Sequence, residues 1–132
     1  MAQQPTTAST RLSSDPTGVR AARRFVASTL QGWGLDGVAE VVVLLTSELV
    51  SNAVTHAGGS SVGLVMVLDD HDVRVEVHDA NPEWPRRRQG NGDREQGRGL
   101  ILVAALAASW GVEATGSGKS VWFQVSTSSD SR

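Results

Sequence analysis

Three polar side chains recur at four-residue spacing inside an apolar segment of the chain: Glu48, Asn52 and His56. Residues four apart share one face of an α-helix. A carboxylate and an amide on a buried face cost free energy unless a polar group meets them, and oxygens of both kinds are ligands for a hydrated magnesium ion. A solvated helix face or an intrahelical hydrogen bond gives the same Glu-x-x-x-Asn spacing, so the pair alone marks only a candidate site.

Length and composition limit the classes of protein to be considered. The chain has 132 residues, a formal net charge of −2, no cysteine and three histidines. One domain is expected, and the charge gives no indication of nucleic-acid binding. Without cysteine no disulfide or thiolate metal site can form, and scattered histidines argue against structural zinc. The N-terminus lacks a basic region followed by an apolar run, and no segment is expected to reach the length needed to span a bilayer, so a cytoplasmic protein is the default.

The first half of the chain predicts two helices. Ser14 or Asp15 can serve as N-cap, Pro16 suits the first helical position, and apolar residues then recur at helical spacing to about Gln31. A second helix is predicted over about residues 37–56 and is apolar on nearly every side. Such a helix belongs at the centre of a fold. The polar stripe that it carries must then face a cavity.

The second half predicts strands around a loop and a third helix. Residues 62–68 and 73–78 form a predicted hairpin, and the second strand alternates so that Arg74, Glu76 and His78 should face solvent. Residues 79–96 lose all periodicity and form a long loop, as functional or disordered segments do. Residues 100–110 predict a helix. The segment 111–126 predicts a closing hairpin.

This order of elements predicts an α+β fold, a two-layer sandwich with helices on one face of a mostly antiparallel sheet. Gly97-Arg98-Gly99 follows a loop and lacks the third glycine of a Rossmann motif, and Gly116 to Ser120 has the wrong spacing for a Walker A loop. The polar residues 1–12 are expected to be a flexible tail, residues 13–126 the domain and residues 127–132 a second tail.

Four short motifs in this order resemble those of the GHKL, or histidine kinase-like, ATPases. They are Glu48-Leu49-Val50-Ser51-Asn52-Ala53, Asp79 at a strand end, Gly97-Arg98-Gly99-Leu100 before a helix, and Gly118-Lys119-Ser120-Val121-Trp122-Phe123 in the last strand. The small bacterial anti-sigma-factor serine/threonine kinases of actinomycetes are the most similar group. The resemblance covers about residues 13–125 and implies the Bergerat type of α/β sandwich, with ATP and Mg²⁺ as cofactors.

The resemblance implies a role for each matching residue. Asn52 would bind the magnesium ion that bridges the triphosphate, with Ala53 beside it in the same motif. Glu48 would act as general base on the attacking hydroxyl, a role that phosphoryl transfer requires. Asp79 would accept a hydrogen bond from the adenine amine, and Ser120 would assist in that pocket. Without the resemblance, Asp79 merely ends a strand and begins a turn.

The glycine motif would supply the phosphate side of the site. Gly97 and Gly99 would allow backbone amides at the start of the third helix to meet the phosphates, and Leu100 completes the motif. Arg98 could pair with a phosphate oxygen, although an exposed loop arginine would look the same. Asn81 belongs to the turn beneath the base, where it tolerates a positive φ.

One departure from the family pattern affects the predicted activity. The family shows Asp-x-Gly-x-Gly after the adenine-reading aspartate, whereas this chain has Asp79-Ala80-Asn81-Pro82-Glu83. Both glycines that let the backbone pass under the base are replaced. ATP binding is therefore predicted more firmly than turnover.

Two classes of function follow from the resemblance. The first is a serine/threonine kinase that phosphorylates a small anti-sigma-factor antagonist and binds a sigma factor in a partner switch. The second is a non-catalytic regulatory module that keeps the fold and binds a protein partner. Neither class requires contact with nucleic acid or a membrane. The oligomeric state stays open, a homodimer included.

Overall fold

A computed structural model of the chain describes residues 6–56, 61–80, 101–116 and 118–127. Within these residues, the helices and strands are grouped, as is typical of an α+β fold. They are β1 (Thr6–Leu12), α1 (Pro16–Gly32), a 3₁₀ turn (Asp36–Val38), α2 (Ala39–His56), β2 (Val62–Asp69), β3 (Asp72–Asp79), β4 (Ser109–Ala114) and β5 (Lys119–Ser126). Residues 101–106 are also helical.

The five strands form one sheet in the order β1-β2-β3-β5-β4, and every neighbouring pair is antiparallel. On the face that meets the helices, Val73, Val75 and Val77 of β3 are fully buried. Their neighbours Arg74, Glu76 and His78 lie on the opposite, outer face and are partly exposed. The predicted fold class, a two-layer sandwich with a mostly antiparallel sheet, is therefore confirmed.

Helix α1 begins as its sequence predicts. The Asp15 carboxylate caps the helix by accepting a hydrogen bond from the Gly18 backbone N–H at 3.1 Å, and Pro16 is its first residue. Residues at helical spacing, Ala22, Val26 and Leu30, are fully buried. The helix ends one residue beyond the predicted position because Gly32 still keeps helical backbone geometry.

Helix α2 packs against α1, β2 and β3, and its residues Val42, Leu45 and Val50 are fully buried. The stretch Asp36–Thr55 is long and apolar enough, by length and composition alone, to cross a membrane. The expectation that no segment reaches this length is therefore wrong. A helix at the centre of a packed domain meets the same criteria, and the contacts of α2 are those of a core helix.

The expectation of a flexible tail over residues 1–12 is wrong from Thr6 onward. Strand β1 pairs with β2 along its whole length, from Thr6 opposite Leu68 to Leu12 opposite Val62. Only Leu12 enters the core, so the apolar pattern that identifies a strand is missing. Backbone hydrogen bonds to β2 order this polar edge strand instead.

Two further boundaries differ from the prediction. The helix predicted over residues 100–110 has ended by residue 107, because Ser109 and Trp110 pair with Gln124 and Phe123 as the start of β4. The predicted tail at residues 127–132 does not include Thr127, whose backbone N–H and hydroxyl both donate to the His71 carbonyl oxygen. In both cases contacts with residues distant in sequence decide the structure.

Candidate functional site

Helix α2 holds Glu48 and Asn52 at the margin of the core. Both side chains are half-buried, whereas their neighbours Leu49 and Ala53 are buried in the hydrophobic cluster. The acid and the amide therefore lie one helical turn apart on a partly accessible stripe, as predicted. The side chain of Ala53 packs in the hydrophobic core beside this stripe. The side chain of His56 lies outside the described part of the structure.

Chain connectivity brings the end of α2 toward the end of the sheet that carries Asp79. Helix α2 ends at His56 and β2 begins at Val62, so the joining residues span at most about 20 Å. At that end of β2, Gly63 lies directly opposite His78, the neighbour of Asp79. Ser14, just after the β1 residue Leu12 that pairs with Val62, donates a hydrogen bond from Oγ to the Val54 carbonyl oxygen at 3.5 Å, which places the C-terminal turn of α2 at the same end of the sandwich as the β3 terminus.

Asp79 forms a buried ion pair with Lys119. The Lys119 Nζ donates to Asp79 Oδ1 at 3.0 Å, and the lysine and aspartate side chains are only 5% and 2% exposed. The two residues are direct partners in the register of β3 with β5, on the face of the sheet that meets the helices. Burying either charge without an opposite charge nearby would be strongly unfavourable, so the ion pair stabilises both residues in the core.

Sequence reasoning assigned Ser120 to the adenine pocket and gave Lys119 no role. The register puts Ser120 opposite His78, so its side chain points to the other face of the sheet from Asp79. Ser120 is buried, and its Oγ has no hydrogen-bond partner within the described structure. The predicted pairing of Ser120 with the Asp79 pocket is not observed. The residue that meets Asp79 is the preceding lysine.

Gly118 allows the strands to approach closely at this site. A Cβ atom at Gly118 would lie 1.9 Å from the carbonyl oxygen of Asp79 and 2.7 Å from the Cα of Ala80. Both atoms belong to the backbone and cannot rotate away. A residue without a side chain is therefore required beside the Asp79–Lys119 pair.

A polar network covers the outer face behind Asp79. Glu76 accepts hydrogen bonds from the Arg74 Nε at 2.8 Å and lies 2.9 Å from His78 Nε2, while the Arg74 guanidinium stacks 4.1 Å from the Trp122 ring centroid. Burial raises the pKa of Glu76, but the hydrogen bonds from Arg74 and His78 outweigh burial and leave this pKa lowered. This network is structural and lies away from the helices.

A cavity of about 580 Å³ opens at the same end of the sheet. Asp79 and Ala80 contribute to its wall, together with residues of β1 and β2 that include Arg11 and Gly63. Neither Glu48 nor Asn52 lines this cavity. The cavity therefore gives access to Asp79 at the β3 terminus. It does not extend to Glu48 and Asn52 on α2.

Several predicted site residues lie outside the described part of the structure. They are Asn81 of the altered turn and the glycine motif Gly97, Arg98, Gly99 and Leu100. Their assigned contacts with the base and the phosphates stay predictions.

The donor set suits one kind of metal site. Among the described residues no group of three His, Cys, Asp or Glu side chains could hold a metal ion. The Asn52 amide offers a single oxygen, and Glu48 lies one turn away on the same stripe. Magnesium commonly keeps several waters and binds through substrate phosphates with one or two protein ligands. The residues therefore fit a magnesium ion delivered with a nucleotide and do not fit a site built from protein ligands alone.

The fold and the site together define a domain of the ATPase type, with a polar stripe on a core helix and an acid at a strand end. The chain matches the sequence model of the histidine kinase-like ATPase domain over residues 12–125, and it belongs to that family. Membership implies ATP binding and confirms the superfamily to which the four motifs pointed. No curated protein matches the chain.

Proposed function

We propose that this protein is an ATP-dependent serine/threonine kinase of the anti-sigma type. It would act in the cytoplasm on a small anti-sigma-factor antagonist and bind a sigma factor in a partner switch. The observation that carries this proposal is the half-buried Glu48–Asn52 pair on a helix whose other positions build the core. Membership in the histidine kinase-like ATPase family, matched over residues 12–125, is the reason for proposing ATP as the nucleotide.

Each described residue of the site has a task in this proposal. Asn52 offers its amide oxygen to the magnesium ion that accompanies the triphosphate. Asp79 accepts a hydrogen bond from the exocyclic amine of adenine. Glu48 takes the proton of the substrate serine or threonine hydroxyl, whose oxygen attacks the γ-phosphorus while ADP leaves.

A second function is favoured by a specific observation at the base site. Asp79 Oδ1 is already engaged by Lys119, and the two glycines that follow the aspartate in the family are replaced by Asn81 and Glu83. A domain with this altered site could bind a protein partner, with or without nucleotide, and transfer nothing. The chain would then act as a non-catalytic regulatory module.

Phosphoryl transfer distinguishes the two functions. With protein in excess over ATP labelled at the γ-phosphate and with a candidate antagonist present, Glu48→Gln should slow single-turnover transfer by about 100-fold or more and leave ATP binding nearly unchanged. The amide keeps the shape of the side chain and removes its basicity.

A matched control lies on the same helix. Glu40 is exposed in the first turn of α2, so Glu40→Gln makes the same chemical change away from the site and should transfer phosphate like the wild type. If wild type and both variants bind ATP and none phosphorylates any cognate antagonist, the regulatory module is the correct function.

A further inference from the structure

We propose that two copies of this chain form a homodimer by packing the outer faces of their sheets against each other. The dimer does not depend on nucleotide binding and goes beyond the proposed function. Two charged side chains, Arg11 on β1 and Glu113 on β4, lie at opposite edges of this face. A second copy brings each of them to a charge of the opposite sign.

The outer face of the sheet is open in the part of the chain that the structure describes. Helices α1 and α2 pack on the inner face, where the buried valines of β3 lie, and Val103 of the helical residues 101–106 joins the same core. Val65 on β2 and Trp122 on β5 point to the outer face and are only partly buried. A face of this kind can pack on a second sheet about 10 Å away, with the strands within about 30° of each other.

Each edge strand turns one charged residue to this face. Arg11 of β1 and Glu113 of β4 are both exposed, and neither forms a hydrogen bond or an ion pair with a described residue. At the centre of the face, by contrast, Arg74, Glu76 and His78 contact one another within the chain. The charges available to a second copy are therefore at the edges, one of each sign.

The strand register places the two edge charges on one line across the sheet. This line contains, from β1 to β4, Arg11, Gly63, His78, Ser120 and Glu113. Adjacent strands are about 4.8 Å apart, so Arg11 and Glu113 lie about 10 Å to either side of the central strand β3. A two-fold axis parallel to β3, midway between the stacked faces, exchanges the two sides. Arg11 of one copy then faces Glu113 of the other, twice in each dimer.

The adjacent line of outward-facing residues fits the same symmetry. It contains, from β1 to β4, Ser9, Val65, Glu76, Trp122 and Gly111. The axis places Val65 against Trp122 of the second copy, and the small residues Ser9 and Gly111 against each other. Glu76 lies near the axis, but it is bonded to Arg74 within its own chain and presents no unpaired charge. Apolar contacts near the centre with charged pairs at the rim are typical of protein interfaces.

Charge reversal tests this arrangement, because the symmetry determines which variants can pair. Sedimentation velocity over a range of concentrations compares the wild type with Arg11→Glu, Glu113→Arg and the double variant Arg11→Glu/Glu113→Arg. Glu40→Arg reverses an exposed charge on α2, away from the sheet, and is the matched control. Both edge side chains are exposed, so the variants should fold, and circular dichroism checks that they do.

We expect each single reversal to raise the dimer dissociation constant by about 10-fold or more, because like charges then meet in both pairs. The double variant and Glu40→Arg should dimerise like the wild type. An equimolar mixture of the two single variants should also dimerise, since one chain is then acidic at both edges and the other basic at both.

A wild type that is monomeric at all concentrations measured would overturn the homodimer. Single reversals that dimerise like the wild type would overturn this interface. The same conclusion would follow if neither the double variant nor the mixture recovered dimerisation. None of these results bears on phosphoryl transfer, so the proposed function is tested separately.

Discussion

Gly118→Ala should disrupt the β3 terminus, and its effect can be worked out from the contacts of the missing methyl group. The new Cβ would lie 1.9 Å from the Asp79 carbonyl oxygen, 2.7 Å from the Ala80 Cα and 2.8 Å from the Ala80 carbonyl carbon. Ordinary contact begins at 3.4 Å, so β3 and β5 would have to separate by about 1.5 Å at this point. Because all three atoms belong to the backbone, no side-chain rotation can relieve the clash.

The expected loss of stability is about 3 kcal/mol, the upper end of the usual effect of overpacking. The separation would also lengthen the 3.0 Å contact between Lys119 and Asp79, two nearly buried charges that depend on each other. Nucleotide binding should therefore weaken even in the fraction that stays folded. A loss of this size is a large part of the stability of an ordinary domain.

Urea unfolding followed by tryptophan fluorescence measures the change, and Gly116→Ala provides the control. Gly116 lies in the same turn, and a Cβ atom there meets nothing within 4 Å. We expect Gly116→Ala to alter the free energy of unfolding by less than about 1 kcal/mol. If Gly118→Ala is no more destabilising than Gly116→Ala, the close approach of the strands at Asp79 is not a constraint and the geometry assigned to this site is wrong.

Three further changes test separate parts of the structure. Asn52→Ala should weaken binding of magnesium-ATP much more than binding of ATP in a chelator, as measured by calorimetry, and equal losses would remove Asn52 as a metal ligand. Asp79→Asn should weaken ATP binding by about 1.5–3 kcal/mol, since an amide is a poorer acceptor for the adenine amine; an unchanged affinity would exclude Asp79 from the base pocket. The pKa of Glu76 is lowered from its ordinary value of 4.5 in the folded protein. The ionised carboxylate therefore stabilises the fold fully above pH 4.5, and this stabilisation is lost as the pH falls through the pKa of the folded protein. Glu76→Gln should therefore cost less than about 1 kcal/mol at pH 7 and still less at pH 3 in urea unfolding, and a penalty that grows in acid would contradict the assigned shift.

The parts of the fold that the sequence predicted are those with local signals. The capping residue Asp15 and the buried spacing of Ala22, Val26 and Leu30 identify α1 without reference to any other element. Strict alternation in β3 likewise separates its buried valines from the outer-face residues. These patterns depend on neighbours within one helix or strand, so they can be interpreted from a single sequence.

The missed features all depend on partners that are distant in the chain. Strand β1 has a polar sequence, and its pairing with β2, at least 50 residues away, decides that it is ordered. Trp110 follows a helix-like run, but its register with Phe123 makes it part of β4. The family resemblance assigned Ser120 to the adenine pocket and gave no register, whereas the pairing of β3 with β5 puts Lys119 opposite Asp79; a shift of one residue exchanges the two faces of a strand.

The same distinction between local signals and distant partners applies to the candidate site. Helical spacing was sufficient to place Glu48 and Asn52 together on a stripe of α2. The ion pair at the base site could be recognised only after the pairing of β3 with β5 was known. Knowledge of that register would have identified Lys119 directly, since it lies opposite the aspartate of the motif.

Titration calorimetry of the wild-type protein with ATP and GTP, each with and without magnesium, tests the central claim most directly. The account predicts one binding site per chain, an affinity for ATP that increases when magnesium is present, and clearly weaker binding of GTP. Asn52 supplies the reason for the first difference, and Asp79, as the acceptor for the adenine amine, supplies the reason for the second. Equal binding of ATP and GTP, or no binding of either, would contradict the account.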